Sequence, residues 1–180
     1  MNGGKESALT TANKITLFRI AMIPVFLILA YTDAGAWTVL VFLIASLSDT
    51  LDGYIARHYN QVTDFGKFMD PLADKILVLS AMCFFVERGQ MPGWAVAIVL
   101  FREFAVSGLR LIAAERDRVI AAAWSGKVKT TVTMVCLCIM TVVHLQWADL
   151  VSVVLILLTT VVSGVEYFWK NRDVFQNGST

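Results

Sequence analysis

The sequence predicts an all-α, polytopic integral membrane protein with six transmembrane helices in one domain, residues 1–180. Three observations predict it. Hydrophobic residues make up 57% of the chain and charged residues only 16%, against about a quarter charged in an ordinary soluble domain. Six apolar stretches can be read, each near the ~20 residues that cross a bilayer at ~1.5 Å per residue. Lysine and arginine concentrate on alternate connections between those stretches, the distribution that orients a membrane protein.

In order, the predicted spans are 15–33, 37–57, 70–88, 91–113, 128–147 and 149–170. The uncharged runs in the first four are shorter: 20–32, 34–48, 76–86 and 89–101. The last two run uncharged through 130–148 and 150–165. The first four helices therefore reach full length only by taking in charged residues at one end. That end is consistent. Lys5, Lys14 and Arg19 lie at the start of span one, and Arg57 and Lys67 between spans two and three. Arg110, Arg116, Arg118, Lys127 and Lys129 surround the junction of spans four and five, and Lys170 and Arg172 follow span six. The other side has only Arg88. Both termini and the 2–3 and 4–5 connections are thus expected in the cytoplasm. Spans five and six are separated by only a short turn around His144 and Asp149. Trp37, Trp94, Trp147 and Trp169 fall near span ends, as an interfacial aromatic belt does.

Composition excludes several classes. A net charge of +1 lacks the basic excess of a nucleic-acid binder. Cys83, Cys136 and Cys138 sit in apolar stretches, an odd number without a loop framework, and read as small buried residues rather than disulfides. The apolar run Ile20 to Leu29 is followed by no small-residue cleavage site and reads as a span rather than a cleaved signal. His58 and His144 lack companions of ligating type and read as ordinary surface or interface residues.

Against this apolar background stand eight residues of one spaced pattern: Asp49, Asp52, Gly53, Ala56, Arg57, Gly66, Asp70 and Asp74. They read D-x-x-D-G-x-x-A-R, eight further residues, then G-x-x-x-D-x-x-x-D. A carboxylate stranded in hydrocarbon costs several kcal/mol, so four within twenty-six residues need a purpose. Helical spacing of three and four gathers Asp49 with Asp52 on one face, and Gly66, Asp70 and Asp74 on one stripe. The small residues Gly53, Ala56 and Gly66 clear room beside the carboxylates for a ligand to approach the backbone. Paired carboxylates hold one or two hard divalent cations, and a two-ion site clamps a phosphoryl centre and its leaving oxygen. The alternative is a set of interhelical ion pairs with Arg57, Lys67 and Lys75. The predicted topology puts the acids, with Arg102, Glu103 and Arg110, on the cytoplasmic halves of spans two, three and four, lining one polar cavity.

The acid pattern resembles the signature of the CDP-alcohol phosphatidyltransferase family at every position. The resemblance implies a six-helix membrane enzyme that displaces CMP from a CDP-linked lipid or alcohol with a second alcohol. It implies that Asp49, Asp52 and Asp70 ligate Mg²⁺ or Mn²⁺, two ions in all. Asp74 would be the base that takes the acceptor's hydroxyl proton, also touching the second metal. Asp52, Gly53, Ala56, Arg57 and Gly66 would hold the CDP moiety. A homodimer is implied too.

Further segments, from Asn13 to Arg19, Arg102 to Arg110, Ser125 to Thr130 and Ser163 to Tyr167, resemble the bacterial branch of that family whose donor is CDP-diacylglycerol and whose acceptor is sn-glycerol 3-phosphate. The chemistry of the residues agrees. A dianionic phosphate needs several cationic donors, and Arg102, Arg110, Lys127 and Lys129 are the candidates to bind it. Arg102 lies at a depth where a lone guanidinium is costly; the other reading pairs it with Glu103 or a site aspartate. Arg116 and Arg118 read as loop residues solvated or facing anionic lipid. Asn13, Thr16 and Arg19 reach toward a phosphate, or else cap and snorkel. The expected setting is the bacterial cytoplasmic membrane, with membrane phospholipid as surroundings and no nucleic-acid partner. Two other functions stay open: the same chemistry with phosphatidylglycerol, inositol phosphate or serine as acceptor, and a cation channel or transporter built around intramembrane carboxylates.

Overall fold

The computed structural model describes residues 11–58, 64–115, 120 and 123–176, with side chains for 15–48, 69, 72, 73, 75–115, 120 and 123–174. Among the described residues the chain is helical, without strands. The helices are α1 (Thr11–Tyr31), α2 (Ala36–His58), α3 (Asp64–Glu87), α4 (Gly93–Glu115), α5 (Trp124–Val142), α6 (Gln146–Lys170) and the single turn α7 (Asp173–Gln176). Backbone packing divides the chain into two compact units, Met1–Phe84 and Phe85–Thr180.

The helices follow the predicted spans with two differences of substance. Helix α3 begins at Asp64, six residues ahead of the expected start, so Gly66, Asp70 and Asp74 are all carried on one helix. Helix α5 runs from Trp124 to Val142 rather than 128–147. It stops where Val143 turns extended (φ −99°, ψ 99°), its N–H closing on the Ile139 carbonyl at 2.7 Å. Lys129 already fell inside the predicted span, and the earlier start brings Lys127 within α5 as well.

In the first unit α1 packs on α2. Ile23, Phe26 and Ala30 recur at three- and four-residue spacing on the buried side of α1, facing Phe42 and Ala45 of α2. The Phe26 and Phe42 rings meet at 5.5 Å between centroids. The chain reverses between the two helices in four residues. Ala34 N–H returns to the Leu29 carbonyl and Thr32 N–H to that of Ile28, each at 3.1 Å. Asp33 (φ 51°) and Gly35 (φ 48°) take the left-handed conformation this reversal needs, which aspartate tolerates better than most side chains. Tyr31 closes the unit edge-on against Phe84 of α3, at 5.1 Å.

In the second unit α6 packs against both α4 and α5. Its buried stripe is made largely of small and polar residues: Ala148, Ser152, Thr160, Ser163 and Gly164. Small side chains let helix backbones approach closely where no water drives them together. Val106, Leu109 and Ala113 of α4 enclose Tyr167 of α6 and Val174 of α7. At the other end of α6, Gln90 donates to Asp149 Oδ2 at 3.1 Å, tying the turn before α4 to a buried carboxylate.

The outer surfaces are apolar. Phe101 and Trp124 are each 76% exposed, and Leu150, Leu158 and Val162 run along the exposed side of α6. Soluble monomers rarely leave such contiguous apolar surface open. Helices α5 and α6 are long and apolar enough to cross a membrane, and residues 15–31 and 36–48 form shorter apolar segments.

Candidate active site

The eight patterned residues fall on two consecutive helices, Asp49 to Arg57 in the last turns of α2 and Gly66 to Asp74 in the first turns of α3. With both segments helical, Asp49, Asp52, Gly53 and Ala56 share one face of α2 by register, and Gly66, Asp70 and Asp74 one stripe of α3. The side chains of all eight lie outside the described residues. Among the described residues no group of three or more His, Cys, Asp or Glu side chains gathers. As a donor set, four carboxylates in two helical pairs, with no nitrogen or sulfur ligand, fit a hard oxygen-seeking divalent cation.

What precedes Asp49 is described, and it holds a residue whose placement sequence reasoning left open. Arg19 of α1 is fully buried, at 0% exposure, so it does not snorkel to an interface. Its Nε donates to Ser48 Oγ at 3.2 Å, and Ser48 Oγ in turn donates to the Ala45 carbonyl at 2.7 Å. Thr16, one turn earlier on α1, is buried as well. A guanidinium taken out of solvent requires hydrogen-bonded company. Arg19 thereby secures α1 to the residue next to the first aspartate of the pattern.

The second unit carries the cations, and they separate into three situations. Arg102 Nη1 and Lys129 Nζ both donate to Glu103 Oε1, each at 2.9 Å. The three side chains are 13%, 6% and 20% exposed for Arg102, Lys129 and Glu103 respectively. Arg102 therefore makes the Glu103 pairing weighed from sequence, and Lys129 joins it. Arg102 Nε is buried and finds no acceptor among the described residues. Its stem runs against α6: a methyl group at Gly164 would meet Arg102 Cγ at 3.2 Å, and one at Gly126 would meet Nη2 at 3.7 Å. Arg110, two turns farther along α4, donates from Nε to the Tyr167 hydroxyl at 2.9 Å, its guanidinium 5.4 Å from the ring centre. Lys127 is exposed and lies roughly 200° around α5 from Lys129, at ~100° per residue. Of the four predicted phosphate ligands, Arg102 and Lys129 come together, while Arg110 and Lys127 are placed apart from them. Arg116 and Arg118 lie outside the described residues.

The Glu103–Lys129 and Tyr167–Arg110 pairings are the ones that sequence reasoning did not assign. Glu103 was visible only as a possible partner of adjacent Arg102. No periodicity links Tyr167 to Arg110 across 57 residues.

A helical chain with this acid pattern belongs to the CDP-alcohol phosphatidyltransferase family, whose family model matches residues 9–165. Its similarity to individual members is extensive. It is 42% identical to the CDP-diacylglycerol--glycerol-3-phosphate 3-phosphatidyltransferase of Bacillus subtilis, covering 93% of this chain and 97% of that one. The Rickettsia bellii protein of the same name is 35% identical over 91% of this chain and 96% of its own. That of Salmonella typhimurium is 42% identical over 68% of this chain and 71% of its own.

Proposed function

We propose that the protein transfers the phosphatidyl group of CDP-diacylglycerol to sn-glycerol 3-phosphate, releasing CMP and forming phosphatidylglycerol phosphate. The observation that carries this reading is the 42% identity, over nearly the full length of both chains, to a relative named for that reaction. The acid pattern and the Arg102–Glu103–Lys129 cluster are consistent with it.

In this reading Asp49, Asp52, Asp70 and Asp74 hold Mg²⁺ or Mn²⁺, two ions in all. When bound, these neutralise charge on the pyrophosphate and on the departing CMP. Asp52, Gly53, Ala56, Arg57 and Gly66 bind the CDP moiety, the small residues leaving space for it against the helix backbone. Asp74 accepts the proton of the acceptor hydroxyl. The freed oxygen bonds to the phosphorus that bears diacylglycerol, and the bond from that phosphorus to CMP breaks. Of the four cations first considered for the acceptor's phosphate, Arg102 and Lys129 are assigned to it as principal donors, while Arg110, bonded to Tyr167, and exposed Lys127 stand outside that pair. Charge-assisted hydrogen bonds of this kind are about twice as strong as neutral ones.

Six helices span the bacterial cytoplasmic membrane with both termini in the cytoplasm, and the protein works as a homodimer. CDP-diacylglycerol reaches the site from the inner leaflet with its tails still in lipid. The apolar outer surfaces and the distribution of lysine and arginine support this arrangement.

The test is an acceptor panel with purified protein, CDP-diacylglycerol and Mg²⁺. CMP release is expected with glycerol 3-phosphate and not with phosphatidylglycerol, inositol phosphate or serine. Equal or greater release with any of those three replaces the acceptor and leaves the family reaction intact. Metal flux into liposomes without CMP release overturns the enzyme reading altogether.

A further inference from the structure

A carboxylate is an unexpected neighbour for an anion site, because it repels the phosphate the site is meant to attract. Yet Glu103 sits between the two principal cations, its Oε1 accepting from Arg102 Nη1 and Lys129 Nζ at 2.9 Å each. Those two nitrogens are therefore no more than about 6 Å apart, a separation at which unshielded like charges push each other away.

We propose that Glu103 is a positioning residue, holding Arg102 and Lys129 together as a preformed seat for the phosphate of the acceptor. The inference rests on the reading that these two cations bind a phosphate monoester.

Three features of the cluster support it. Two cations share one acid, so the group retains a net positive charge and still attracts a dianion. Arg102 Nε remains a buried donor without an acceptor among the described residues, so the guanidinium has capacity beyond Glu103. Arg102 is also fixed from behind: Gly164 admits its stem at 3.2 Å and Gly126 its Nη2 at 3.7 Å, measured to an added methyl carbon. Long cationic side chains carry much rotamer freedom. Ordering them before the acceptor arrives lowers what binding must supply, which is how preorganisation raises affinity. Without Glu103, Lys129 and Arg102 would separate and the acceptor would have to gather them.

The test measures kcat and both KM values on the full-length protein for E103A, E103Q, R102A, K129A and the double variant E103A/K129A. E103A is expected to raise the KM for glycerol 3-phosphate about tenfold or more, the scale of a charge-assisted hydrogen bond. The KM for CDP-diacylglycerol and kcat should change by less than about threefold. E103Q retains an oxygen that both cations can share and should recover part of the loss. K129A should add little in the E103A background, because the two residues act through one arrangement. Should E103A fail to accumulate, E103Q decides: a raised acceptor KM supports the proposal, and a wild-type value overturns it. Independent, multiplying effects of E103A and K129A also overturn it. Raised acceptor KM in R102A and K129A, with wild-type KM in the Glu103 variants, removes this inference alone. Wild-type acceptor KM in R102A and K129A removes the phosphate-site reading and the inference with it.

Discussion

Replacing Gly164 with alanine places one methyl carbon 3.2 Å from Cγ of Arg102. Carbon atoms settle at about 3.5–4.0 Å, so either the arginine stem or α6 must give by a few tenths of an ångström. Two effects on stability oppose each other. Alanine in place of a helical glycine gains about 1 kcal/mol, and overpacking costs about 1–3 kcal/mol. The net loss is about 0–2 kcal/mol, small enough for the variant to fold. The effect on function is larger in proportion. The 2.9 Å bond from Arg102 to Glu103 should lengthen and bend as the stem moves, and hydrogen bonds weaken steeply as they depart from good geometry. The KM for glycerol 3-phosphate should rise about three- to tenfold, the scale of a weakened charged hydrogen bond. The KM for CDP-diacylglycerol should be unchanged. Two further glycines are controls. G126A meets Arg102 Nη2 at 3.7 Å, an ordinary contact, and G108A meets nothing within 4 Å. Both should keep the acceptor KM within about twofold, and G108A should gain about 0.5–1 kcal/mol from helix propensity. CMP release against acceptor concentration, with thermal unfolding in detergent alongside, measures all three. A wild-type acceptor KM in G164A, or a G126A defect as large as that of G164A, refutes the assigned role of the Arg102 seat.

D49A and D74N are each expected to abolish CMP release from CDP-diacylglycerol while leaving the protein folded; full activity in either variant would dismantle the assignment of the acid pattern. R19A should lower kcat/KM by at least about tenfold, since it removes a buried charged donor from Ser48. R19K should recover little, because an ammonium cannot reproduce the Nε geometry. Wild-type activity in R19A would show that α1 has no part in supporting the acid helix. F26A empties the centre of the α1–α2 contact and should destabilise the protein by about 3–5 kcal/mol, read by unfolding in detergent; a loss below about 1 kcal/mol would show that this contact contributes little.

All six long helices could be read from hydropathy and the placement of lysine and arginine, because apolar runs and their charged ends are local signals. The ends that moved were those where local signals mislead. Hydropathy starts span three only at Asp70, because Asp64 and Lys67 are charged, although the stripe of Gly66, Asp70 and Asp74 already asks for helix from Gly66. The end of α5 falls inside an apolar run with no proline or glycine to mark it, where Val143 and Leu145 turn extended. The acid pattern is a matter of sequence spacing alone, to which the structure adds that its two halves are helical, on α2 and α3. The cation cluster was less so: Arg102 and Lys129 stand on different helices, α4 and α5, and nothing in their spacing shows that they share one oxygen of Glu103. The burial of Arg19 was equally hidden, since a single arginine in an apolar helix reads the same whether it points outward or toward a neighbour.

The sharing of Glu103 also bears on how such a chain is built. Lys129 stands in the second turn of α5, the less apolar of the two helices long enough to cross a membrane. Under the proposed topology, α5 must enter the bilayer bearing a charge that α4 neutralises. Glu103 is synthesised before Lys129, so the acid is already in place when its cation emerges from the ribosome. A circular permutation that delivered α5 ahead of α4 would reverse that order and leave the lysine without its partner during insertion. Membrane integration, as well as substrate binding, would then depend on which of the two helices is made first.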